Sequence, residues 1–156
     1  MSCRRLSIHW NCARRPLSDA AVRDAVLAAL RHTRRRLTEL NVVFVNDSQL
    51  TSLHTAWLQD ETRTDVITFD LSSGRERMGE LYVSVPCAYR LARERGVSPA
   101  RELALYVVHG VLHAQGYDHE TDAEARRMEA LETRLLARFR IADPYALVHT
   151  SGSATP

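Results

Sequence analysis

The sequence contains no lysine, and all 21 of its positive side chains are arginine. A coding bias accounts for that, and so does a need for guanidinium forks that suit phosphate. Composition does not separate the two. Cysteine is scarce: Cys3, Cys12 and Cys87 make an odd count with no Cys-x-x-Cys spacing. That excludes a disulfide framework and a zinc ribbon, and leaves reduced thiols as the expectation. No apolar run approaches the ~20 residues a membrane span needs. The opening Met1-Ser2-Cys3-Arg4-Arg5 lacks the apolar stretch of a secretory signal, so a cytoplasmic setting is expected. Excess charge is also missing. A net +2 excludes a protein that coats nucleic acid wholesale.

What is present is a chain of 156 residues, 45% of them hydrophobic. It is long enough to bury one core, which argues against disorder. Leu6 to Trp10 alternates like a strand. Ser18 caps an expected helix with Val22, Val26, Leu27 and Leu30 on one face. Arg31, Arg34, Arg35 and Arg36 follow at its end, where positive charge suits the dipole and a solvated end is expected. Leu40–Val45 and Val66–Phe69 read as strands, as does Leu81–Val85, which Pro86 closes. A short helix from Asn46 to about Trp57 and a polar loop from Gln59 to Asp65 lie between the second strand and the third. The rest is helical: Cys87–Arg95, stopped by Gly96; a helix restarted by Ser98-Pro99 and ended by Gly116; and Asp122–Phe139, with Met128, Leu131, Leu135 and Leu136 on its apolar face. Strands early and helices late predict an α+β domain: a small four-stranded mixed sheet with helices packed on it. Residues 1–145 are expected to form this single domain, and 146–156 a frayed tail.

Three of the seven histidines fall within eleven residues, in His109-Gly110-Val111-Leu112-His113-Ala114-Gln115-Gly116-Tyr117-Asp118-His119. His109 and His113 are spaced i, i+4, so on a helix they share one face and both rings can reach one ion. A third ligand requires the chain to turn. Gly116 supplies the turn, because glycine accepts the left-handed conformation that ends helices. His119 can then fold back. Three neutral imidazoles with one open position make a catalytic rather than a structural zinc site. The spacing matches the zincin pattern His-Glu-x-x-His-x-x-Gly-x-x-His, with a zincin-like histidine helix. Gly110, however, stands where those peptidases carry their glutamate base. A glycine beside a ligand also suggests that another element packs close to the helix.

At these residues the chain resembles the YbeY family of bacterial metal-dependent endoribonucleases, or rRNA maturation factors. His109 to His119 fits the family signature His-Gly-x-Leu-His-x-x-Gly-Tyr-Asp-His at every fixed position. Thr64–Phe69, Gly79–Ser84, Arg101-Glu102-Leu103 and Met128-Glu129 resemble further family segments, so the likeness spans roughly residues 5 to 140. The resemblance implies one zinc ion held by His109, His113 and His119. It implies a single-strand-specific endoribonuclease that matures the 3′ end of 16S rRNA and serves ribosome quality control. The implied partners are rRNA, the small ribosomal subunit and its assembly factors, with no membrane and no DNA. The family often carries an aromatic-Arg pair before the Thr-Asp segment. Here the pair is Trp57-Leu58.

Two further residues are candidates for catalysis. Asp118 either orients a ligand histidine, carries a proton, or caps a turn. Arg63 either supplies positive charge in place of the missing arginine or is a solvated loop residue. Asp65 is expected to stabilise a turn and Tyr117 to pack. His9, His32, His54 and His149 are given no role. Two other readings stand beside the nuclease. One is a metallopeptidase, disfavoured by Gly110. The other is a non-catalytic, zinc-containing assembly factor, kept open by Leu58.

Overall fold

The computed structural model describes residues 3–32, 37–50, 52, 66–74, 76–117 and 120–138. The expected helix beyond residue 52, the loop with Arg63 and Asp65, Leu58, residues 34–36, Asp118, His119 and the tail 146–156 lie outside them.

The strands are β1 (Arg5–Trp10), β2 (Glu39–Val45), β3 (Val66–Asp70) and β4 (Met78–Ser84). They form one sheet in the order β1-β2-β4-β3. β1, β2 and β4 run parallel, and β3 pairs antiparallel with β4, Val66 opposite Val83 and Asp70 opposite Gly79. The sheet is therefore mixed, as expected. The helices are α1 (Asp19–Leu30), α2 (Val85–Arg95), α3 (Pro99–Ala114) and α4 (Asp122–Arg138).

Alternation along the strands decides which side chains meet the helices. Leu40, Val42, Phe44, Leu81 and Val83 point into the main core, which they share with residues of all four helices. The opposite face carries a smaller cluster of Val43, Val45, Leu50 and Ile67, with Phe69 edge-on to Tyr82 at 5.7 Å between ring centroids. β2 is thus covered on both sides, which is why its sequence reads as a nearly unbroken apolar run.

Each helix start is written in a cap. The Ser18 hydroxyl accepts from the Ala21 N–H at 3.1 Å, and the Ser98 hydroxyl from Arg101 at 3.0 Å. Such caps are worth about 1 kcal/mol each. Asn46 caps a helical turn at 47–50, its side chain accepting from Gln49 N–H at 2.9 Å. Two expectations need correction. Val85 belongs to α2, not to the fourth strand, because Ser84 caps that helix by accepting from Cys87 N–H at 3.1 Å. Pro86 sits in its first turn, where its missing N–H is not needed. Leu27 lies at the edge of the apolar face of α1, and Ala25 and Ala29 are buried in its place.

Candidate metal centre

The central helix α3 lies against the sheet through a residue that has no side chain. A Cβ on Gly110 would come within 3.1 Å of Leu81 and of Val66, on β4 and β3. The close packing expected beside His109 is therefore real. A glutamate at this position would be driven into the sheet, so no zincin-type base fits here.

His109 and His113 stand one turn apart on α3, their ring centroids 5.8 Å apart and their planes at 81°. His109 is half-buried and His113 is exposed. The helix ends as the sequence predicts. Gly116 has φ 95°, its N–H donates to the His113 carbonyl at 3.0 Å, and Tyr117 N–H donates to Leu112 at 3.1 Å. This pair of bonds is a Schellman ending, and it reverses the chain immediately before Asp118 and His119. Tyr117 packs on the core, as expected, and its hydroxyl donates to the His32 carbonyl at 3.0 Å.

One contact was not legible beforehand. His109 Nδ1–H donates to Glu132 Oε1 on α4 at 2.5 Å. Glu132 is 8% exposed, an unusual place for a carboxylate. The contact fixes the tautomer and orientation of His109, so any metal on this histidine is ligated through Nε2. A faint signal existed in the sequence: Glu132 falls i+4 from Met128, interrupting the apolar stripe of the last helix.

Among the described residues, no group of three histidine, cysteine or carboxylate side chains could hold a metal ion. The donor set nevertheless fits zinc. Two imidazoles share a helix face, one of them carries the outer carboxylate common at zinc-ligating histidines, and the chain turns at Gly116, three residues before a third histidine in the sequence.

Fold and site together define an α+β protein whose central helix carries paired histidines, one of them braced by a buried carboxylate. The family described as Endoribonuclease YbeY matches residues 12–140. The Endoribonuclease YbeY of Paracidovorax citrulli is 36% identical over 151 residues, covering 94% of this chain and 99% of that protein. That of Bordetella petrii is 43% identical over 111 residues, 69% of this chain and 71% of its own. The chain belongs to the YbeY endoribonuclease family. The solution structure of TM1509 from Thermotoga maritima matches with a TM-score of 0.61 at 22% identity, covering 97% of this chain and 96% of that one. At that identity the likeness speaks for the fold alone.

No helix among the described residues is long and apolar enough to cross a membrane.

Proposed function

We propose that the chain is a zinc-dependent, single-strand-specific endoribonuclease that matures the 3′ end of small-subunit rRNA and serves ribosome quality control in the cytoplasm. Its partners are rRNA, the small ribosomal subunit and assembly factors. The observation that carries the reading is the His109–His113 pair on one face of α3, with Glu132 on His109 Nδ1.

His109, His113 and His119 are the proposed ligands of one zinc ion. The bound ion supplies water activation and Lewis-acid stabilisation of phosphoryl oxygens. The remaining work falls to the chain. Glu132 holds the Nδ1 proton of His109 and so keeps Nε2 directed at the ion. Gly110 lets α3 lie flat on β3 and β4, which fixes where both imidazoles stand. Asp118 is proposed to orient a ligand or carry a proton, and Arg63 to place positive charge near the phosphate.

Cleavage of a precursor fragment of small-subunit rRNA by wild type and by His113→Ala, purified identically, tests this. Cutting by wild type alone is expected. Equal cutting by both, or by neither, sinks the nuclease reading. Leu58, where the family often has arginine, favours one second reading: a non-catalytic assembly factor with structural zinc. That reading predicts a wild type that does not cut and a ligand variant that melts earlier.

A further inference from the structure

Helix α4 has two flanks. One carries Glu132 toward His109. The other presents Arg127, Ala130, Leu131 and Arg134, at the i, i+3, i+4, i+7 spacing of a single stripe. This second flank lines an open cavity of about 570 Å³, closed on its far side by His32 and Tyr117. No carboxylate among the described residues lines it. Among the described residues, neither Arg127 nor Arg134 forms an ion pair, and both are exposed. Glu124, the acid one turn before Arg127, accepts from Thr121 N–H at 3.2 Å.

Two unpaired guanidinium groups facing a groove whose described lining holds no acid call for an anion. Seven residues of helix separate them by about 10 Å along the axis. That spacing suits two phosphates of one strand better than one small anion. The groove also has a direction. Tyr117 forms part of its wall, and the chain passes from Tyr117 straight into Asp118 and the candidate ligand His119.

We propose that this groove between the end of α1 and α4 is a second RNA-binding site. In it Arg127 and Arg134 hold backbone phosphates of the single strand outside the scissile bond. The proposal rests on the nuclease reading for the identity of its polyanion, and the groove lies on the flank of α4 away from Glu132.

The test is binding of a fluorescent single-stranded RNA from the small-subunit 3′ end, followed by anisotropy across a salt series. Wild type, Arg127→Ala/Arg134→Ala and Arg93→Ala are compared. Arg93 is an exposed arginine on α2. Each phosphate contact contributes ~0.7 to the slope of log affinity against log salt for a single strand. Losing two contacts should flatten the slope by about 1.4 and weaken binding about 25-fold at 0.1 M salt. Arg127→Lys/Arg134→Lys should keep most of the slope, and Arg93→Ala should leave it unchanged. All the substituted side chains are exposed, and unchanged melting checks that the fold is intact. A double alanine variant that binds with the wild-type slope overturns the groove alone, as does an Arg93→Ala that weakens binding equally. A wild type that binds RNA without cutting it, while the double variant loses binding, sinks the nuclease reading and keeps the groove. A wild type that binds no RNA sinks both.

Discussion

Glu132 is the residue whose role the sequence kept hidden. A carboxylate on α4 reaches an imidazole on α3 across 23 residues of chain, and no local pattern encodes that distance. The histidines were legible because their spacing is local: one turn of one helix, then a glycine. If Glu132 acts by holding His109, its removal should be read first in metal binding. Glu132→Gln keeps the shape and can still accept a proton from Nδ1, but lacks the charge. Zinc affinity measured by competition with a chromophoric chelator is expected to fall about 10- to 100-fold, the usual cost of losing an outer-shell partner. An unchanged affinity would show that the carboxylate serves packing only.

At the scale of elements, α3 is placed by an absence. Leu81, fully buried on β4, and Val66 on β3 occupy the space a side chain at 110 would fill. Gly110→Glu therefore has to push the helix off the sheet or bury a carboxylate without a partner. A loss of at least about 2 kcal/mol is expected, read by thermal or denaturant unfolding, with no gain of peptidase activity. A variant as stable as wild type would mean that the helix lies more loosely than the contacts imply. The glycine's purpose was partly readable, since a glycine beside a ligand implied a close neighbour. The neighbour itself was not, because strand order is a non-local property. The boundary at Ser84 fails for the opposite reason. Val85 is β-branched and extends a strand pattern, while the competing signal, serine before a first-turn proline, was present and outweighed it in the fold.

At the scale of the whole molecule, one polar cluster ties the ends of the parallel strands β2 and β4 to each other and to α2. Asp47 follows β2. It accepts from the Ser84 hydroxyl at 2.7 Å, at the end of β4, and from Arg90 on α2. Burial alone would raise the Asp47 carboxyl. The hydrogen bonds from Arg90 and Ser84, with the charge of Arg90, outweigh it and hold the carboxyl below its ordinary value. A group whose folded pKa is depressed stabilises the fold above its unfolded pKa, and that stability is lost as pH falls through the folded one. The Asp47 side chain is 45% exposed, so solvent limits the ion pair to under about 1 kcal/mol. Asp47→Asn should then melt a few degrees below wild type at pH 7. The gap should stay constant down to about pH 5, then narrow as acid protonates the wild-type carboxyl near and below the usual ~3.9. Melting both proteins from pH 7 to pH 3 reads this directly. A gap that persists unchanged at pH 3 would show that Asp47 holds the strand ends by shape and neutral hydrogen bonding, not by charge.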